Sequence, residues 1–238
     1  MEPYHHRISR KKLAGFIEHT LLRPDVKDSD IERVCEEAVR FNFVAVCIPP
    51  FYTSLASKIL NRSGVKVCTV VGFPFGHNFP ESKSFEAARA VENGADELDM
   101  VINITALKSE DFASVCKDIE GVVSAAKGRK VKVIIETCYL SRKEKIKACE
   151  CAVKSGAAFV KTSTGFGTSG ASIEDVRLMC KMVPEGVGVK AAGGIRDLKT
   201  ALAMINAGAK RIGTSAGVEL ISEIQEGEKV KINETLND

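Results

Sequence analysis

Three charged residues interrupt otherwise apolar stretches of this 238-residue chain. They are Asp99 in ELDMVIN (97–103), Lys161 in FVKTSTGF (159–166) and Lys190 in GVKAAGGI (188–195). A lone charge in a buried strand is costly unless it is paired or functional. Lys132 and Glu136 share another apolar run, and an ion pair across the interior would account for one such couple. A purely structural network has less reason to bring two ammonium groups together. Paired lysines do have a chemical use. An amine attacks a carbonyl only when neutral, and a second cation with partial desolvation lowers a lysine pKa and frees the nucleophile. The resulting protonated imine draws electrons from the adjacent carbon, which permits C–C cleavage or the reverse addition. A carboxylate such as Asp99 can then move protons, directly or through water. The residues alone leave open which lysine is the nucleophile.

A second group of residues points to an anion. Gly193-Gly194 and the run Gly213-Thr214-Ser215-Ala216-Gly217 both follow short apolar runs near the C-terminus, and the latter is expected to open the last helix. Backbone N–H groups at such a place bind phosphate, and glycine lets the backbone come close. Gly165, Gly167 and Gly170 spell a literal G-x-G-x-x-G. That motif follows the sixth apolar run, and the next run ends in Ala191-Ala192 where a ribose-binding acid should stand. It reads as a coincidence of a Gly-rich loop.

These residues need a scaffold that brings strand ends together. Eight apolar runs recur, at 17–22, 43–48, 66–73, 97–102, 131–137, 158–163, 187–191 and 211–214. Most are rich in Val and Ile without strict alternation, as expected of strands buried on both faces. Helical patterns lie between them. In 29–40, Ile31, Val34, Cys35, Ala38 and Val39 form one face. Ser141 with Glu144 reads as a capping box and Ser172 with Asp175 as a similar helix start. Gly94, Gly156 and Gly208 read as left-handed helix ends. The predicted architecture is α/β, a single (β/α)8 TIM barrel over 1–238, with its active site at the C-terminal ends of the strands. A doubly wound open sheet is the rival. Residues from about 226 onward read as a polar tail.

Composition removes other classes. The formal net charge is +3, 27% of residues are charged, Trp is absent and Tyr occurs three times. No nucleic-acid surface is expected. No apolar run reaches membrane-spanning length, and the N-terminus lacks the apolar core of a secretory signal. The eight cysteines mostly sit in apolar runs without a C-x-x-C pair, so neither disulfides nor a metal site is expected. No other cofactor is expected, and a reduced, cytoplasmic setting fits. His5, His6, His19 and His77 show no ligand spacing. His5 and His6 read as a solvated tail, His77 as a surface loop and Cys47 as a core cysteine.

IEHTLLRP, VCTVVGFPFG, ENGADELDMVIN, VKVIIET, FVKTSTGF, GVKAAGGI and RIGTSAG occur in the order seen in deoxyribose-phosphate aldolases, and the chain resembles that family from about 17 to 220. The resemblance implies a class I aldolase, a lyase. Such an enzyme interconverts 2-deoxy-D-ribose 5-phosphate with D-glyceraldehyde 3-phosphate and acetaldehyde in deoxyribonucleotide catabolism. It implies Lys161 as the Schiff-base lysine, Lys190 as its pKa-lowering neighbour and Asp99 as the proton relay. It also implies Gly165, Gly193, Gly194, Gly213 and Ser215 at the phosphate, Thr20 lining the substrate, and a homo-oligomer, a dimer. Glu18 stands where the family usually has Asp, and Pro49 where Asn is common. An active-site tyrosine found in the C-terminal tail of some members has no counterpart here. Two other readings stay open. One is a phosphate-binding barrel isomerase or synthase using Asp99 and Lys161 as acid and base; the other is a non-catalytic sugar-phosphate binding protein.

Overall fold

The computed structural model describes residues 7–231; the segments 1–6, with His5 and His6, and 232–238 lie outside the described residues. Eight parallel strands close into a barrel: β2 (Ile17–Thr20), β3 (Ala45–Ile48), β4 (Lys66–Val71), β5 (Glu97–Val101), β6 (Lys130–Ile134), β7 (Phe159–Lys161), β8 (Gly188–Ala192) and β9 (Arg211–Thr214). Each pairs with the next in sequence, and β9 closes on β2. The eight runs read from the sequence are these strands. Several runs overshoot their strand at the C-terminal end, and the surplus residues form the loops at the barrel mouth.

A helix follows every barrel strand: α2 (Asp28–Phe41), α3 (Thr53–Ile59), α4 (Pro80–Glu92), α6 (Phe112–Ala125), α7 (Arg142–Lys154), α8 (Ile173–Met182), α9 (Leu198–Asn206) and α10 (Gly217–Ser222). Two short helices, α1 (Arg10–Ala14) and α5 (Ile104–Lys108), are extra. The helix starts follow local chemistry. Ser141 and Glu144 form the reciprocal capping box of α7, and Ser172 accepts from the Asp175 N–H at the start of α8. The main hydrophobic core lies between barrel and helices, where Leu98, Met100, Val133 and Val160 meet Ile31, Val115, Ile119 and Val176. At roughly 25 cal/mol per Å² of apolar surface, this layer supplies most of the driving force for folding.

One expectation changes. The polar tail from about 226 is not wholly a tail. Residues Lys229–Lys231 form β10, which pairs antiparallel with β1 (Arg7–Ser9). That pairing rests on backbone hydrogen bonds and on Ile8, which is fully buried, so the polar side chains of β10 do not report it. Lys132 does enter the ion pairing across the interior, 2.9 Å from Asp99. Glu136 lies past the end of β6 with a left-handed backbone, and its carboxylate accepts from the Thr164 N–H and hydroxyl.

Candidate active site

The barrel interior is ionic where such barrels are usually aliphatic. Side chains two apart on a strand share a face, so Glu97 and Asp99 both turn inward from β5 while Leu98 and Met100 face the helices. Register then aligns neighbours: Asp99 lies opposite Lys132, Lys161 opposite Lys190, and Lys190 opposite Arg211. Lys132 reaches Glu97 at 2.8 Å, Asp99 Oδ1 at 2.9 Å and Glu18 at 3.3 Å. Lys190 donates to Asp99 Oδ2 at 2.6 Å and to Glu18. Lys161 donates to the same Asp99 Oδ2 at 2.8 Å. Arg211 closes the ring on Glu18 at 3.1 Å and Glu97 at 3.0 Å. The sequence reading brought Asp99, Lys161 and Lys190 together, and the structure does the same. It also adds Glu18, Glu97, Lys132 and Arg211.

Electrostatics follow from the contacts. Burial disfavours the charged forms of Glu18, Asp99, Lys132 and Lys190, yet their partners outweigh it. Lys132, Lys161 and Lys190 hold the Asp99 carboxyl well below the usual carboxylate range, and Lys132 and Lys190 bring Glu18 down to about 2. Asp99 raises both Lys132 and Lys190 above the ordinary lysine value, with Glu18 assisting. Lys190 therefore differs from the expected bare ammonium beside Lys161; it is one arm of a carboxylate-bridged pair. The cluster holds four cations (Lys132, Lys161, Lys190, Arg211) and three anions (Glu18, Glu97, Asp99), a surplus of one positive charge.

Glu18, Cys47, Cys68 and Asp99 bring four possible metal-ligand atoms within 4.8 Å of one another, from four different strands. No sequence spacing signals this group. Lysines already occupy both carboxylates, Lys132 also donates to the Cys68 sulfur at 3.2 Å, and burial pushes the Cys68 thiol well above its ordinary value. The group's chemistry is that of a neutralised ionic core, and a divalent cation would have to displace ammonium groups.

Above the cluster opens a cavity of about 550 Å³. Thr20, Lys161, Gly165, Gly193, Gly194, Gly213 and Ser215 all line it, so the expected substrate residues converge on one space. Asp99 and Lys190 lie beneath it, fully buried, and Lys161 is the cluster lysine that reaches it. Gly193 and Gly194 carry φ of +88° and +76°, a consecutive left-handed pair that side chains resist. Gly170 explains the literal G-x-G-x-x-G: a Cβ there would lie 2.1 Å from the Gly193 carbonyl oxygen, so glycine packs one mouth loop on the next. Gly213 belongs to β9 and clears room for Lys190, whose Cε would lie 3.0 Å from a Cβ at that position. Ser215 lies two residues before α10, which begins at Gly217, the last residue of the run expected to open it.

Sequence reasoning missed the arginines. Arg23, Arg33 and Arg196 line the same cavity, and its charged lining residues, with Lys161, are all cations. None interrupts an apolar run, so no local signal marked them. Glu97 had a signal, its period-two spacing from Asp99; Lys132 had the same signal as Lys161. His77 is exposed, stacks on Phe75 and lines a neighbouring cavity that shares Thr164 and Phe166 with this one, and Cys47 is buried in the barrel core.

The geometry agrees with comparison to known proteins. The chain is 55% identical over 225 residues to the deoxyribose-phosphate aldolase of Carboxydothermus hydrogenoformans, covering 93% of this chain and 99% of that one. A solved structure from Coccidioides immitis that bears the same enzyme name superposes with a TM-score of 0.89 at 41% identity, covering 92% of this chain and 88% of that one. The Aeropyrum pernix deoxyribose phosphate aldolase, a tetramer, gives 0.85 at 36% identity, with 90% and 92% covered. A profile of the DeoC/LacD family aldolases matches residues 3–222. With lysines at the mouth of a closed barrel and a profile match over most of its length, this chain belongs to the DeoC/LacD family of aldolases and is a lyase.

Proposed function

We propose that the chain cleaves 2-deoxy-D-ribose 5-phosphate to D-glyceraldehyde 3-phosphate and acetaldehyde, and runs the reverse addition, with Lys161 as the nucleophile. One observation carries this reading: Lys161 is the cluster lysine that reaches a cavity whose charged lining is wholly cationic. It is also the least anchored. Lys161 shares one carboxylate with Lys190, whereas Lys190 holds two carboxylates and Lys132 three.

The neutral amine of Lys161 attacks C1, the carbinolamine takes up one proton and loses its hydroxyl as water, and a protonated imine forms. That imine keeps the positive charge beside Asp99. A base removes the C3 hydroxyl proton, the C2–C3 bond breaks, and its electrons neutralise the imine to an enamine. The cluster then holds three cations and three anions, so cleavage relieves its surplus charge. Protonation at C2 and hydrolysis release acetaldehyde and free Lys161. Asp99 lies beneath Lys161 and suits a proton relay through it or through water. Lys190 keeps Asp99 ionised. Gly165, Gly193, Gly194, Gly213 and Ser215 receive the phosphate and Thr20 the sugar.

The reaction belongs to deoxyribonucleotide breakdown. Eight free thiols support a reducing, cytoplasmic setting. Among the described residues no helix is long and apolar enough to cross a membrane. Self-association as a dimer is part of the same reading, supported by exposed Phe51, Phe79 and Phe85, and light scattering tests it. The decisive experiment is incubation with deoxyribose 5-phosphate and borohydride. Acetaldehyde should form without reductant, and reduction should leave a stable adduct on Lys161. An adduct on Lys190 reverses the two roles, and no adduct refutes the imine.

A further inference from the structure

The phosphate loops supply backbone donors, which recognise shape, and one cation, Arg196, two residues after Gly194. Besides Arg196 and Lys161, the cavity's cations lie on the adjoining wall, built by the segment after β2. A helix that follows a parallel strand runs back down the barrel, so its first turns stand at the mouth. Arg33 occupies the sixth position of α2, and Arg23 sits in the loop between β2 and α2. β2 is hydrogen-bonded to β9, which brings this loop beside Ser215. Both arginines line the cavity together with Gly193 and Gly194.

Their placement is organised. Asp30 stands between them, with one oxygen 3.9 Å from Arg23 and the other 3.7 Å from Arg33. Glu37 accepts from Arg33 at 3.0 Å and is itself held by His19 at 2.8 Å; Asp25 accepts from Arg23 at 3.3 Å. Each guanidinium thus makes one hydrogen bond to an acid in this arrangement, while its planar fork carries five donors. The three acids are not among the residues lining the cavity. They steady the arginines from outside and leave the inner surface cationic.

We infer that Arg23 and Arg33 form a second anion-binding wall, which selects the doubly charged phosphate ester over neutral sugars. The inference rests on the reading that this cavity takes a sugar phosphate, and it assigns part of the charge selectivity to residues outside the glycine loops. Arg suits the task because its fork matches phosphate oxygens.

The test is the double variant R23Q/R33Q, with R33K beside it. KM for deoxyribose 5-phosphate should rise on the order of tenfold in the double variant, with kcat little changed. Turnover of unphosphorylated deoxyribose should stay at the parent level, which also reports that the fold survives. Arg33→Lys should keep part of the effect. Inorganic phosphate should raise the Tm of the parent and do so much less in the double variant. Equal losses on both sugars, or an undiminished phosphate-induced Tm rise in the double variant, would overturn the inference. So would a parent whose Tm phosphate leaves unmoved. A parent that binds phosphate through these arginines yet releases no acetaldehyde would sink the aldolase reading and leave this one standing.

Discussion

Lys190→Met and Asp99→Leu remove opposite charges from the same buried cluster, and the structure says they should differ in stability. Lys190 contacts Glu18 and Asp99. When it goes, Glu18 keeps Arg211 at 3.1 Å and Lys132 at 3.3 Å, and Asp99 keeps Lys161 at 2.8 Å and Lys132 at 2.9 Å. No carboxylate is orphaned, and the balance moves from four cations against three anions to three against three. The cost should be about 1–2 kcal/mol, because the lost charge-assisted hydrogen bonds are offset by one buried charge fewer. Asp99→Leu does the reverse. Four cations then face two anions, and Lys161 loses its carboxylate contact. Leaving a buried charge uncompensated costs about 3–5 kcal/mol. At roughly 2–4 °C per kcal/mol for a domain of this size, the Tm losses should be about 2–8 °C for Lys190→Met and about 6–20 °C for Asp99→Leu. Both variants should lose turnover, Lys190→Met by on the order of 10²–10³. Its residual activity should move to higher pH, since Asp99 then has one lysine fewer and holds the remaining ammonium protons more tightly. Calorimetry and kcat–pH profiles on the two proteins are the assays. If Lys190→Met destabilises as much as Asp99→Leu, the charge count is wrong. If it keeps the parent rate and pH profile, the lysine pair has no catalytic meaning.

Glu18 predicts an acid limb. Its carboxyl is held at about 2, below its ordinary 4.5, so its stabilisation is complete above pH 4.5 and drains as pH falls toward 2. Replacing it by Gln should flatten the stability–pH curve in that window, and an unchanged slope would contradict the ion contacts. Ser215→Asp should reduce kcat/KM for deoxyribose 5-phosphate far more than for deoxyribose, because it adds a carboxylate to a cavity with cationic walls; equal losses would make Ser215 a residue of the fold alone. EDTA should leave activity unchanged, since the acids near Lys161 already hold ammonium groups; activity lost to EDTA and restored by zinc would mean that a metal does occupy them.

The sequence by itself determined the barrel and its chemical ingredients. Eight β/α alternations leave few other solutions for a chain this long, and Asp99, Lys161 and Lys190 stood out because each breaks an apolar strand. Helix caps such as Ser141 were legible because capping acts over three residues. Tertiary structure alone decided who meets whom. Glu18 and Lys190 are 172 residues apart, and Glu18 and Arg211 are 193 apart. Such pairs depend on how eight strands shift register as the sheet closes, which no local periodicity encodes. The same closure set Lys132 among three carboxylates and left Lys161 as the lysine facing the cavity. Arg23 and Arg33 were invisible for a related reason. Polar residues in loops and on helix faces are ordinary by type, and only the adjacency of β2 to β9 turns them toward the phosphate loops.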